Sequence, residues 1–76
     1  MRVEELEMFA RRRPFRAFLL VKQDGTLIPV NGADQLRAQR YPDGGCSIIV
    51  TADYAYWSVP ADQIAYVYDP FANAAR

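Results

Sequence analysis

The sequence predicts a small, mostly β domain with one N-terminal α-helix, folded as a small barrel or as a strongly bent five-stranded antiparallel sheet. Three observations support this fold class. The chain has 76 residues, enough for one small domain. Its opening residues repeat apolar side chains at helical spacing, and short apolar stretches then alternate with turn sequences rich in Gly, Pro and Asp. We therefore expect a single domain over residues 1–70, with residues 71–76 as a frayed C-terminal tail.

The composition is that of a folded globular protein, with 51% apolar and 24% charged residues. The chain has no histidine and a single cysteine, Cys46, which excludes a histidine-based catalytic triad, a Cys/His zinc cluster and an internal disulfide. No apolar stretch approaches the ~20 residues of a membrane-spanning helix. We expect a cytoplasmic protein that is not an enzyme, has no cofactor or metal, and has no membrane partner.

Charge is distributed unevenly along the chain. Residues 1–40 carry eight basic and five acidic side chains, whereas residues 41–76 carry one and four. If the fold separated the two halves onto opposite faces, their complementary fields would favour self-association. The alternative, which we prefer, is that the charges intermix at the surface.

The N-terminal segment predicts an amphipathic helix that ends by about residue 12. Val3, Leu6, Phe9 and Ala10 fall on one face of such a helix. Acidic residues at its start and arginines at its end match the helix dipole, and Pro14 cannot continue the helix. We expect the apolar face to cover one open end of the barrel.

A hairpin is predicted to follow the helix. From Phe15 onward the side chains alternate with a period of two, and both faces of this strand are apolar in the middle. Asp24-Gly25 predicts a two-residue type I′ turn, which requires positive φ at both positions. Pro29 lacks an N–H group, so the second strand is predicted to be an edge strand or to contain a bulge.

The predicted turn fixes a register for this hairpin. It places Val21 opposite Ile28 and Leu19 opposite Val30. All four side chains are apolar, so we expect Leu19 and Val21 to lie on the core face of the first strand.

The rest of the chain predicts further short strands and no internal repeat. Residues 33–40 fit either a short helix or a helical turn that leads into a strand, and we prefer the second. The remaining segments are, in order, a turn, a buried strand, an aromatic strand, a second turn and a last strand: residues 41–45, 46–51, 54–59, 60–63 and 64–68.

One stretch carries a resemblance to known proteins. R-P-F-R-A-F over residues 13–18, D-G at residues 24–25 and I-P-V at residues 28–30 resemble the opening of a group of small bacterial proteins of unassigned function. Their opening reads roughly R-P-F-R-P-F, followed by a strand, D-G and a second strand ending near V-P. Ala17 replaces the second proline here, and Pro29-Val30 stands in place of V-P. The resemblance covers most of the chain and implies a single-domain bacterial protein, but no activity.

The order of elements carries a more distant resemblance. One helix followed by about five strands with a D-G first turn is similar in plan to SH3-like barrels and to bacterial Sm-like RNA chaperones. The Sm-like proteins carry a lysine and a histidine at the last turn, where this chain has P-A-D-Q over residues 60–63. This resemblance implies a fold and not an RNA chemistry.

Four tyrosines form the predicted interaction surface: Tyr54, Tyr56, Tyr66 and Tyr68. If Tyr56 lies opposite Tyr68, the four rings form one aromatic patch, whereas a one-residue slip would pair Trp57 with Tyr66 and break the patch up. The turn sequence does not decide between these registers. Exposed tyrosine clusters favour protein interfaces, and plain sheet packing is the equally weighted alternative.

The basic segment is the candidate nucleic-acid contact, and it consists of Arg11, Arg12, Arg13 and Arg16. Phe15 and Phe18 are interleaved with these arginines, as in surfaces that combine phosphate contacts with base stacking. The alternative, which we prefer, is that the first three arginines interact with the helix dipole and with acidic neighbours.

Two functions of different classes follow. The first is a non-enzymatic, self-associating protein-interaction module, a homo-oligomer and most simply a dimer, which could also bind another protein. A domain this small rarely gains more than ~3–5 kcal/mol from its own core, and it has no disulfide or metal to add to that. The expected interface involves the C-terminal strands, with Tyr56 or Tyr68 near its centre. The alternative is an Sm-like RNA-binding oligomer that uses the basic segment, with Arg37 and Arg40 as further contacts.

Overall fold

The computed structural model describes residues 2–70, which form one helix and six strands in two three-stranded antiparallel sheets. The elements are α1 (Val3–Arg11), β1 (Phe18–Lys22), β2 (Leu27–Val30), β3 (Leu36–Arg40), β4 (Cys46–Thr51), β5 (Tyr56–Pro60) and β6 (Ile64–Tyr68). The first sheet has the order β2-β1-β6, and the second has the order β3-β4-β5. The predicted C-terminal tail, residues 71–76, lies outside the described residues.

The mostly β fold with one helix is confirmed, but the closed barrel and the single bent sheet of five strands are wrong. Within residues 2–70 no strand pairing joins one sheet to the other. Strand β3 follows a 3-10 turn over Ala33–Gln35. The preferred interpretation of residues 33–40, a helical turn leading into a strand, is therefore confirmed.

Two copies of the sequence Ala-Asp-Gln connect strands of one sheet to strands of the other. The first, Ala33–Gln35, lies between β2 and β3, and the second, Ala61–Gln63, lies between β5 and β6. Both form 3-10 turns, and each precedes an apolar residue that is buried in the core, Leu36 or Ile64. Each half of the chain is thus a hairpin followed by a third strand that joins the opposite sheet. The sequence does contain this short repeat, contrary to expectation.

The first hairpin is confirmed, but its turn differs from the predicted one. The Lys22 N–H donates to the Thr26 carbonyl, and the Gly25 N–H donates to the Lys22 carbonyl, both at 2.9 Å. The loop therefore has three residues rather than two. Only Gly25 has a positive φ, at +89°, while the Asp24 carboxylate accepts a hydrogen bond from the Thr26 N–H. This is a type I turn followed by a left-handed glycine.

The longer turn shifts the register by one residue and exchanges the two faces of β1. Phe18 and Leu20 lie opposite Val30 and Ile28, and these side chains belong to the buried core. Leu19 and Val21 were predicted to face the core, and they lie on the opposite, outer face because a one-residue shift turns every side chain over.

A bulge in β6 shifts the register of its pairing with β1 by one residue. Ile64 pairs with Lys22, but Tyr66 pairs with the adjacent Val21, so one residue of β6 has no counterpart on β1. The bulge lets both Ile64 and Val67 contact the core although they are three residues apart. Tyr66 is then directed to the outer face, opposite Val21.

Helix α1 covers the core beside β3, through the predicted apolar residues. Leu6 is fully buried and Ala10 is nearly so, while Val3 and Phe9 pack against the edge of the core. The helix packs mainly on β3 and on the 3-10 turn before it. The predicted apolar face of the helix is confirmed, although it covers one side of a two-sheet core and not the end of a barrel.

Candidate interaction surface

The outer face of the first sheet carries two cross-strand rows of apolar side chains. Directly opposite residues of antiparallel strands point to the same side of a sheet, so the rows form one continuous surface. We call this surface the apolar face, and it consists of Pro29, Leu19 and Tyr68 in one row and Leu27, Val21 and Tyr66 in the other. None of the six side chains is charged.

The apolar face is partly open to solvent. Leu27 is 56% exposed, Tyr66 55% and Tyr68 42%. Val21 lies beneath them in the central strand and is 6% exposed, although it is not part of the core cluster. The exposed area is about 400 Å², since a tyrosine presents roughly 150–250 Å². A contiguous apolar patch of this size is comparable to the largest one on a typical monomer, and such patches are often functional.

The structure divides the four predicted tyrosines between two surfaces. Tyr66 and Tyr68 lie on the apolar face, but Tyr56 belongs to the second sheet and Tyr54 lies fully exposed in the bend before β5. Strands β5 and β6 do not pair with each other, so neither of the two predicted cross-strand pairings occurs. The 3-10 turn Ala61–Gln63 sends β6 to the first sheet instead.

Sequence reasoning missed four members of the apolar face: Leu19, Val21, Leu27 and Pro29. The signal was present, because β1 has apolar residues on both faces. The type I′ register assigned the wrong face of β1 to the core. Pro29 does lie in an edge strand, as predicted.

The basic segment is only partly available to a ligand. The Arg12 guanidinium forms an ion pair with Asp69 at the end of β6, with an N–O distance of 2.5 Å. Its central carbon lies 4.9 Å from the centre of the Phe9 ring, and it donates to the Arg16 carbonyl. Arg12 therefore ties the end of α1 to the end of β6. Arg13 and Arg16 are exposed.

A second charged cluster centres on Glu7. The Arg40 guanidinium donates to the Glu7 carboxylate at 2.7 Å, and Arg11 lies 3.6 Å from its other oxygen. The hydrogen bond from Arg40 is the main cause that holds the pKa of Glu7 below its ordinary value, and the charges of Arg40 and Arg11 act in the same direction. This cluster joins α1 to β3.

Acidification is expected to abolish the stabilising effect of Glu7. Because the pKa of Glu7 is lower in the folded than in the unfolded chain, its contribution is present above the ordinary value of 4.5 and is lost as the pH falls through the folded value. Glu7→Gln should therefore be less stable than the wild type at pH 7, and the difference in unfolding free energy should be smaller at pH ~2.5. Urea unfolding at both pH values measures this. Glu4→Gln is the control, since Glu4 is exposed and lies 4.0 Å from Arg2. A loss of unfolding free energy in Glu7→Gln that has the same size at both pH values would contradict the prediction.

Within residues 2–70 no group of three or more Cys, Asp or Glu side chains could hold a metal ion. No helix in this part of the chain is long and apolar enough to cross a membrane. No protein-family model matches the chain, and neither a curated protein nor a solved structure is significantly similar to it. The two resemblances drawn from the sequence therefore stay predictions.

Proposed function

We propose that the protein is a non-enzymatic interaction module that forms a homodimer through the apolar face. The observation that supports this most strongly is the uncharged character of both cross-strand rows. A nucleic-acid surface needs cations beside its aromatic rings, and the apolar face has none. Uncharged aromatic and aliphatic side chains are instead typical of the centres of protein interfaces.

A second copy of the chain is the partner that fits this face. Two antiparallel sheets can pack face to face about 10 Å apart, as in a β-sandwich, without using a strand edge. Pro29, which blunts the edge of β2, therefore does not oppose the contact. Two uncharged faces also do not repel each other. Both rows are centred on β1, which places the two-fold axis of a closed dimer near Leu19 and Val21.

The area of the apolar face predicts a weak dimer. Two copies would bury about 800 Å² in the face itself, so the rim around it must add about 200 Å² to reach the ~1,000 Å² expected of a specific interface. We therefore expect a dissociation constant in the micromolar range, so that assembly depends on concentration.

Sedimentation equilibrium at micromolar to millimolar concentration tests the proposal. The wild type is expected to pass from the 8.7 kDa chain to twice that mass as its concentration rises. The double variant Leu27→Ser/Tyr66→Ser should stay monomeric because it removes two of the most exposed side chains of the face. The matched control, Tyr54→Ser/Tyr56→Ser, removes exposed tyrosines from outside the face and should still dimerise.

Two results would contradict the proposal. A wild type that remains at 8.7 kDa throughout would show that the face does not bind its own copy. Dissociation of the control variant alone would show that the interface lies on the second sheet.

The RNA-binding oligomer is supported less well. Arg13 is exposed, but Arg12 is paired with Asp69 and Arg11 lies beside Glu7. Binding of single-stranded RNA that weakens linearly with the logarithm of salt concentration would favour this function over the dimer.

A further inference from the structure

A groove of about 320 Å³ runs between α1, the first 3-10 turn and β3. Three arginines line it: Arg11 and Arg13 from the end of α1 and the residues after it, and Arg37 from β3. Its apolar lining includes the buried side chains of Ala10 and Leu36. Residues far apart in the sequence thus meet around one concave surface, on a different part of the fold from the apolar face.

The groove has a surplus of positive charge. Glu7 is the only acidic residue among the described residues that line it, and Arg40 already donates to that carboxylate at 2.7 Å. Within residues 2–70, neither Arg13 nor Arg37 forms an ion pair or a hydrogen bond through its side chain, and both are exposed. Two guanidinium groups are therefore available to a ligand at the groove.

We propose that this arginine groove binds an oxyanion, and that a phosphate group is its preferred ligand. A guanidinium presents its N–H donors in a planar fork that matches two oxygens of a phosphate or a carboxylate. Three arginines and one glutamate leave the lining with two positive charges, which matches a phosphate dianion better than a singly charged carboxylate. The negative end of the α1 dipole opposes an anion here, so the arginines must supply the affinity.

The test is an NMR titration of the arginine side-chain N–H signals with inorganic phosphate, with chloride added to hold the ionic strength constant. The Arg13 and Arg37 signals of the wild type should shift and saturate. Arg13→Gln/Arg37→Gln should weaken phosphate binding about tenfold or more. The matched control, Arg2→Gln/Lys22→Gln, removes the same charge outside the groove and should bind within about twofold of the wild type.

Four outcomes decide the proposal. Shifts that do not saturate, or an equal loss of affinity in both double variants, would show that phosphate is attracted only by the general charge of the protein, and would overturn it. A parallel titration with acetate distinguishes the two oxyanions. Tighter binding of phosphate than of acetate is the expected result, and equal or tighter binding of acetate would overturn the stated preference for phosphate.

The oxyanion site is independent of the proposed dimer. The Arg13→Gln/Arg37→Gln variant should dimerise as the wild type does, because neither residue belongs to the apolar face. Leu27→Ser/Tyr66→Ser should likewise bind phosphate normally. Either proposal can therefore fail while the other holds.

Discussion

Replacing Phe18 by Ala is expected to cost about 3–5 kcal/mol, which is most of the stability available to a domain of this size. Phe18 is 2% exposed, and its ring lies 5.5 Å from the ring of Phe9 on α1 and 6.0 Å from that of Phe15. The substitution would remove both ring contacts and leave a cavity where α1 meets the first sheet. Urea unfolding followed by circular dichroism measures the loss.

Phe15→Ala is the control for this variant. Phe15 is half-buried and packs at the margin of the core, so its removal should cost clearly less than that of Phe18. Equal stability of the two variants would mean that Phe18 does not occupy the centre of the core.

Leu20→Ala is expected to cost about 2–5 kcal/mol, whereas Leu19→Ala should cost the isolated chain about 1 kcal/mol or less. Leu20 is fully buried in the core, and Leu19 is half-buried on the outer face. A two-residue turn at Asp24-Gly25 would require the opposite order. Urea unfolding of both variants should be measured at a protein concentration low enough to avoid dimerisation.

This comparison tests the register on which the apolar face depends. A larger loss of unfolding free energy for Leu19→Ala than for Leu20→Ala would indicate the type I′ turn. Leu19 and Val21 would then lie in the core. The apolar face would then not exist, and the dimer would need another surface.

Elements encoded by adjacent residues could be predicted from the sequence. The spacing of Val3, Leu6 and Phe9 was sufficient to predict α1 and its apolar face, because local periodicity determines which side chains share a helix face. Asp24-Gly25 was sufficient for the first hairpin, since both candidate turns need a glycine with positive φ. The same signal could not choose between a two-residue and a three-residue loop, and the faces of β1 depend on that choice.

The pairing of β6 could not be predicted from its neighbours in sequence. The 3-10 turn Ala61–Gln63 directs it away from β5, and its partner β1 lies more than forty residues earlier. The ion pair between Arg12 and Asp69 spans 57 positions, so it likewise cannot be predicted from residues that are neighbours in the sequence. Tyr66 and Tyr68 are exposed, and their neighbours on the surface depend on this long-range pairing.

The most direct test of the proposed dimer is an isotope-filtered NOE experiment on a mixture of labelled and unlabelled chains at millimolar concentration. The apolar-face dimer predicts intermolecular contacts from the ring protons of Tyr66 and Tyr68 to the methyl groups of Leu19 and Leu27. Intermolecular contacts confined to Tyr54 or Tyr56, or none at a concentration where sedimentation shows a dimer, would contradict it.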